Sequence, residues 1–203
     1  MARHWQRCAV LLVLLAILGA SLAPAKAQEA PRDPRFGVAE AFWDTGAAVE
    51  AGVAWERIVF QWSQIQPNGP DDWNTLHVPD EWLQWAQSQG REVVGLLKNT
   101  PYWATDIEPA IEANPPRGLN LPIDDSGNTW ATFVRRAVEF YAPRGVHRWI
   151  IWNEPDVARG DQGWEWAGTV EDYYRLLKVS YLVIKVADPE AQVHLTRSTV
   201  WHD

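Results

Sequence analysis

Apolar runs of strand length alternate along this chain with segments whose apolar residues recur at helical spacing. The runs predict strands at residues 36–43, 55–62, 92–97, 146–152 and 192–196. Helical spacing predicts helices at residues 46–52, 79–90, 128–142 and 169–188. Strands that alternate with helices are typical of β/α units built around a parallel sheet.

The apolar positions also assign a buried face to individual helices. In the 79–90 helix this face holds Trp82, Trp85 and Ala86. In the last helix it is formed by a longer series: Val170, Tyr173, Tyr174, Leu177, Tyr181 and Ile184. Thr169 and Asp172, three residues apart, predict a capping box at the start of that helix.

The connections differ in length at the two ends of the predicted strands. Helix-to-strand turns are short (89–91, 143–145 and 188–190), whereas strand-to-helix loops cover 63–78, 98–127 and 155–168. The long loops therefore leave the C-terminal ends of the strands, where (β/α)8 barrels place their catalytic groups. We expect an α/β fold of the TIM (β/α)8-barrel type, truncated to about four and a half units, because eight units take about 250 residues.

The N-terminus has the pattern of an export signal. Arg3 and Arg7 precede an apolar stretch at residues 8–23, and residues 25–27 fit a small-x-small cleavage site. We therefore expect a signal peptide at 1–27, a short linker at 28–35 and a secreted or periplasmic domain at 36–203. The apolar stretch is shorter than the roughly 20 residues of a membrane span, although an uncleaved N-terminal anchor is the alternative.

Charge and cysteine content narrow the function classes. Without residues 1–27, the 18 basic residues become 15 against 26 acidic ones, a net charge of −11. This balance disfavours nucleic-acid binding, which needs clustered Lys and Arg. The single cysteine, Cys8, lies in the predicted signal, so we expect no disulfide in the exported domain. No later segment is apolar enough to predict a membrane association after signal removal.

Tryptophan is unusually abundant, with 14 residues in the chain and 13 of them after the predicted signal. An indole combines a flat apolar face with one N–H donor, which suits the C–H-rich face of a sugar ring. A core rich in tryptophan is the other explanation, and we expect it to account for at least half of them.

The most informative motif is Trp152-Asn153-Glu154-Pro155, at the end of an apolar strand. A carboxylate at the end of a buried strand is costly unless it is paired or neutralised. Such a position favours a residue that retains its proton, as a general acid must. A solvated, loop-starting Glu is the alternative.

In this motif the chain resembles the clan A glycoside hydrolases, which are retaining (β/α)8-barrel glycosidases that include cellulase-like and xylosidase-like families. Arg57 with Trp62 and the residues that follow are similar to their second-strand pattern, and Thr100-Pro101-Tyr102-Trp103 to their third-strand exit. The resemblance implies that Glu154 is the general acid/base and that Asn153 binds the sugar 2-hydroxyl. It also implies that Arg57 supports the catalytic carboxylates and that Trp103 lies near the cleft.

Two further tryptophans, Trp62 and Trp164, join the predicted carbohydrate-binding residues. Because successive strand residues point to opposite faces, Asn153 and Glu154 can both serve a cleft only if a bulge or twist interrupts the strand end. Retaining hydrolysis also needs a second carboxyl group about 5–5.5 Å from the first. The family takes it from the seventh strand, which this sequence does not contain, so we expect the N-terminal part of a longer enzyme.

No other carboxylate is a convincing substitute for that nucleophile. Glu40 and Asp44 could each be a helix cap or a sugar ligand, while Glu165, Glu171 and Asp172 have the pattern of loop and helix-start acids.

Other chemistries have little support in the sequence. The histidines lack metal-ligand spacing, and we expect His147 and His194 at strand beginnings, away from the active face. Nucleotide-binding glycine loops and a serine-hydrolase elbow are absent, so no cofactor is expected. Two alternatives to a glycosidase remain open. One is a non-catalytic carbohydrate-binding protein with an aromatic cleft, and the other is a structural β/α domain whose tryptophans are all core.

Overall fold

The structure is a computed structural model that describes residues 32–157 and 159–196. The predicted signal peptide lies outside the described residues. Within them, no helix combines the length and apolar character of a membrane span.

Five parallel strands form one sheet in chain order. They are β1 (Gly37–Ala39), β2 (Trp55–Gln61), β3 (Glu92–Lys98), β4 (Arg148–Ile151) and β5 (Gln192–Leu195). Each strand pairs with the next in parallel register, for example Gln61 with Lys98 and Leu97 with Ile151. The predicted α/β class with a parallel sheet is confirmed.

Helices connect the strands at the four predicted positions, and an additional short helix begins at Trp62, a residue that was predicted to end the second strand. They are α1 (Thr45–Glu50), α2 (Trp62–Ile65), α3 (Asp80–Ser88), α4 (Thr129–Tyr141) and α5 (Val170–Ala187), with 3-10 turns at Ala41–Trp43, Tyr102–Ala104 and Ala142–Arg144. Asn128 caps α4, and the capping box between Thr169 and Asp172 is present at α5. Gly145 ends the turn after α4 in the left-handed region, with φ 88°. Glycine adopts this conformation readily because it has no Cβ to clash with the backbone.

The two faces of the sheet have different environments. One, the helix face, carries Phe60 and Trp149, whose rings form a T-shaped pair with centres 5.3 Å apart in the main core. The opposite face, called the inner face below, carries the alternate residues, including Trp55, Val94 and Ile150. Gly95 lies on the helix face because a Cβ there would come within 2.5 Å of the Trp149 ring. Core packing therefore requires a glycine in the middle of β3.

The buried faces of α3 and α5 differ from the sequence prediction. In α5 the core residues are Leu176, Val179, Ser180, Val183 and Ile184, whereas Val170, Tyr174 and Tyr181 are exposed. In α3 the core residues are Leu83 and Ala86, and Trp85 is exposed. In α5, apolar residues cover more than half of the circumference, so packing against the sheet and α4 decides which of them are buried. Tyr174, Tyr181 and Trp85 lie outside the core, whereas Tyr173 and Trp82 are partly buried against it.

A buried ion pair anchors the start of β3. Arg91 donates to the Glu56 carboxylate at 3.0 Å, and both side chains are at most 1% exposed. A buried carboxylate without its partner would lose hydration with no compensation. The pair therefore couples β2 to the turn that follows α3.

We expect Arg91→Met to lower the free energy of unfolding by about 3–5 kcal/mol, because Glu56 would remain buried and unpaired. The double variant Glu56→Leu, Arg91→Met should recover most of this loss in urea denaturation. Arg117→Ala, at the exposed pair with Asp106, is the matched control and should cost less than about 1 kcal/mol. A loss as small in Arg91→Met as in the control would contradict the expectation.

Candidate active site

Backbone strain is concentrated at one end of the sheet. Within the described residues, the non-glycine positions with positive φ are Glu40 (55°), Asn99 (66°), Trp152 (65°) and Glu154 (43°). Glu40, Asn99 and Trp152 directly follow β1, β3 and β4. Such conformations cost about 1–3 kcal/mol each and cluster at functional sites. We call this end of the sheet the C-terminal rim, and the long strand-to-helix loops leave from it.

Trp152 shapes the exit of β4. Its N–H donates to the Leu97 carbonyl at 2.8 Å, and its indole lies 4.9 Å from Trp166 and 6.3 Å from Trp130. The indole N–H donates to the Glu165 carbonyl at 3.0 Å. Both Ile151 and Trp152 are buried toward the helix layer, so successive side chains no longer alternate between the two faces at the end of β4. The sequence predicted such an interruption at this strand end.

Glu154 lies between the ends of two strands. Its backbone N–H donates to the Thr196 hydroxyl at 3.2 Å, and the Tyr173 hydroxyl donates to the Ile151 carbonyl at 3.0 Å. The side chains of Asn153 and Glu154 are half-buried and make no hydrogen bond to any other described residue. The backbone of Glu154 is therefore held at the rim, while neither side chain is engaged by another described residue. The catalytic roles assigned to them remain predictions.

The inner face carries two cations toward the rim. Arg57 lies in β2, opposite Ala39 and Val94 in register, and has no ion pair within the described residues. Lys98, at the end of β3, binds the Glu165 carboxylate at 2.5 Å with only 10% of its side chain exposed. Glu165 is thus an ion-pair partner rather than the solvated loop acid that the sequence indicated. Lys98 was missed, although a lysine that closes an apolar strand was a usable signal.

The predicted aromatic residues occupy different layers. Trp62 is fully buried, stacks on Phe133 at 4.9 Å and donates to the Gln66 side chain at 2.7 Å. Its ring offers no face to a ligand, so the predicted sugar contact at Trp62 is corrected to a core role. Trp103 is half-buried, meets Trp62 edge-on at 5.6 Å and donates to the Gln66 carbonyl at 2.8 Å.

Trp164 lies in the loop before α5, half-buried, with the Arg159 guanidinium 5.4 Å from its ring centre.

The two acidic residues after β1, each predicted to be either a helix cap or a sugar ligand, have different partners in the structure. Asp44 is a helix cap that accepts the Ala47 N–H at 2.9 Å, and Glu40 accepts the Trp43 indole N–H at 3.0 Å.

His77 also lies at the rim, bound to the backbone of β2. The Gln61 N–H donates to its Nε2 at 3.0 Å, which requires a neutral imidazole nitrogen there. Burial lowers the pKa of His77, and the Val59 carbonyl opposes this more weakly. His77 is therefore structural, since it satisfies a β2 amide beyond the end of the shorter β1.

His194 lies on the inner face of β5, in a cavity of about 480 Å³ with Arg32, Trp55 and Arg148. This cavity is near the N-terminal ends of the strands, as expected for His194. Within residues 32–157 and 159–196, no three His, Cys, Asp or Glu side chains form a group that could hold a metal ion.

The sequence matches no family model, and a search of curated proteins gives no significant match. The fold, in contrast, is found in solved glycosidases. They include a family 39 glycoside hydrolase from the gut symbiont Bacteroides cellulosilyticus WH2, with 20% identity and a TM-score of 0.51. An exo-β-1,4-mannosidase from Opitutaceae bacterium strain TAV5 has 14% identity and a TM-score of 0.54. The catalytic domain of GH30 xylanase C from Talaromyces cellulolyticus has 16% identity and a TM-score of 0.55.

These matches cover 71%, 83% and 82% of this chain, but the chain spans only 26%, 34% and 46% of the three solved structures. At these identities the likeness concerns the fold. The resemblance to clan A enzymes is confirmed at that level: this is an α/β sheet of the type found in TIM-barrel glycoside hydrolases.

His77→Gln tests the structural role of this histidine. An unfolded histidine titrates near pH 6.5, so its lowered native pKa contributes stability above that pH which is lost on acidification. We expect wild type to lose more free energy of unfolding than His77→Gln between pH 7.5 and 5.5, by at most about 1.4 kcal/mol per pH unit. The glutamine keeps an acceptor for Gln61. Part of the slope should persist in the variant, because burial and Arg148 also lower the pKa of His194. Equal slopes in urea titrations would refute the role.

Trp62→Ala should destabilise the protein by about 3–5 kcal/mol, as expected for removing a fully buried aromatic side chain. Trp85→Ala, on the exposed side of α3, serves as the comparison and should change stability little. Denaturant unfolding followed by far-UV circular dichroism measures both. A Trp62→Ala variant as stable as wild type would contradict the core role, and Trp62 would again be a candidate sugar contact.

Proposed function

We propose that this chain carries the acid/base half of a retaining O-glycosidase site that acts on a poly- or oligosaccharide. The observation that carries the proposal is the C-terminal rim itself. Strained backbone and a half-buried glutamate follow the fourth strand of a fold shared with glycosidases. In this mechanism Glu154 protonates the leaving oxygen and later, as a base, activates water.

The neighbouring residues have distinct roles in this proposal. Asn153 hydrogen-bonds the sugar 2-hydroxyl, an interaction that strengthens in the transition state. Arg57, a cation of the inner face with no ion pair among the described residues, supports the negative charge of the catalytic carboxylates. Trp103 and Trp164 are the half-buried aromatic residues that the proposal assigns to sugar contact. Trp62 does not contact the sugar in this proposal; it packs against Trp103 from the core and fixes its position.

The retaining mechanism also needs a second carboxylate as the nucleophile, and this group is not yet assigned. Three other glutamates near the rim, among the described residues, are already engaged: Glu165 by Lys98, Glu112 by the Asn99 side chain at 2.6 Å, and Glu40 by Trp43. Each of these carboxylates already has a specific partner in the structure, and the proposal assigns none of them as the nucleophile. We therefore propose that the nucleophile comes from outside the described residues.

The competing function is a non-catalytic carbohydrate-binding protein. The same observation supports it, because the aromatic rim residues are present while no free second carboxylate is assigned. The two proposals differ in what Glu154 does. A glycosidase uses the ionisable carboxyl group of Glu154 at the glycosidic bond, and a bound cation favours its carboxylate form, whereas a binding protein relies on the aromatic faces and is insensitive to this group.

Purified 203-residue chain should hydrolyse aryl glycosides negligibly, because one carboxyl group cannot both protonate and attack. Release of p-nitrophenol from a panel of β-glycosides measures this, with a buffer blank as the control. Turnover by wild type that disappears in Glu154→Gln would show that the chain already contains a complete catalytic pair.

A cationic iminosugar tests the role of Glu154 without turnover. Its ammonium mimics the charge that develops at the anomeric centre, so glycosidases bind it more tightly than a neutral sugar. By titration calorimetry we expect Glu154→Gln to weaken iminosugar binding at least about 10-fold, or about 1.4 kcal/mol. Neutral oligosaccharide binding should change less than about 3-fold.

The two outcomes separate the functions. Equal iminosugar affinity in wild type and Glu154→Gln, together with oligosaccharide binding that Trp103→Ala abolishes, would favour the non-catalytic binding protein. A folded chain that binds neither ligand class would rule out both carbohydrate functions.

A further inference from the structure

Trp43 is a large aromatic side chain left in solvent. It lies in the turn after β1 and is 78% exposed. Its indole N–H is bound at 3.0 Å to the carboxylate of Glu40, a residue held in the strained left-handed region. The bond occupies the polar edge of the indole and fixes its orientation. Single exposed aromatic residues are common, but this one is held in place by a hydrogen bond to a residue in a strained conformation.

A cavity of about 270 Å³ adjoins this tryptophan. It forms at the rim because β1 ends at Ala39, opposite Arg57, while β2 continues to Gln61. Phe42 stacks on Trp82 with ring centres 3.6 Å apart, and this pair contributes to the apolar lining. The cavity is smaller than the roughly 300–1,000 Å³ of drug-sized sites, so it suits a single ring rather than an extended chain.

The polar lining of the cavity contains both hydrogen-bond acceptors and donors. Glu40 supplies a carboxylate, Gln61 an amide and Lys98 an ammonium group. The side-chain amide of Gln61 makes no hydrogen bond to another described residue, and Lys98 is neutralised by Glu165. With Lys98 paired, the carboxylate of Glu40 makes the cavity unfavourable for phosphates and uronic acids. Mixed donors and acceptors match the vicinal hydroxyl groups of a neutral sugar.

We infer that this cavity is a subsite for one neutral pyranose unit of a saccharide. The C–H face of the sugar stacks on the Trp43 indole, while its hydroxyl groups bind Glu40, Gln61 and Lys98. The inference rests on the proposed carbohydrate function and extends it. It assigns recognition to the β1 exit, separate from Glu154 at the β4 exit.

Titration calorimetry with neutral cello-, xylo- and manno-oligosaccharides tests the subsite on the purified chain. We expect Trp43→Ala to weaken binding of the preferred saccharide at least about 10-fold, since stacking on an aromatic ring is lost. Trp43→Phe should stay within about 3-fold of wild type because it keeps an aromatic face. Trp85→Ala removes another exposed tryptophan and should leave affinity unchanged. Unchanged melting temperatures show that the variants remain folded.

Glu40→Gln is the second variant, because it removes the charge that orients the indole while keeping a polar side chain. It should weaken saccharide binding less than Trp43→Ala. Saccharide affinity that is the same in Trp43→Ala and wild type overturns the inference.

The iminosugar distinguishes failure of the subsite from failure of the proposed glycosidase site. Glu154-dependent iminosugar binding without Trp43-dependent saccharide binding removes the subsite alone. Trp43-dependent saccharide binding without any Glu154 effect retains the subsite and removes the catalytic proposal.

Discussion

The rim of this sheet depends on the packing of one side chain, the indole of Trp152. Left-handed backbone at this residue turns the ring into the helix layer, against Trp130 and Trp166, when simple alternation would have left it on the inner face. The indole N–H then holds the carbonyl of Glu165. Burial of a large aromatic ring is worth several kcal/mol, enough to offset the strain of the turn. The direction in which Asn153 and Glu154 leave β4 follows from this packing.

The same interaction links the loop before α5 to the end of β3. Glu165 is held at its carbonyl by Trp152 and at its carboxylate by Lys98. A loop held at two points by a core residue and a strand-end cation is well placed to form one wall of a cleft. Phe133 and Trp62 lie below and support Trp103 from the core. Tryptophan thus contributes to the core and to the rim at once, which accounts for its abundance better than either explanation alone.

Local sequence signals predicted the elements whose geometry depends on a few neighbouring residues. The capping box at Thr169 and the short turn that ends at Gly145 occur as predicted, and Asn128, at the predicted start of α4, is its cap. Residues whose environment depends on distant segments were assigned less well. Tyr174 and Tyr181 are exposed because α5 packs against the core with a different face, the one that carries Leu176, Val179 and Val183. Trp62 is buried because Phe133 of α4 covers its ring. Periodicity defines an apolar arc, but it does not define which part of a wide arc meets the sheet.

The sequence by itself determined the α/β class, the order of strands and helices, and the fourth-strand glutamate as the residue to examine. Each of these follows from local periodicity, caps or a short motif. Only the tertiary structure decided that Lys98 pairs with Glu165, that His77 satisfies β2, and that Glu40 orients Trp43. The Lys98–Glu165 pair joins residues 67 positions apart in the chain. Glu40 and Trp43 are near neighbours, but their bond depends on a left-handed backbone that short-range propensity does not favour.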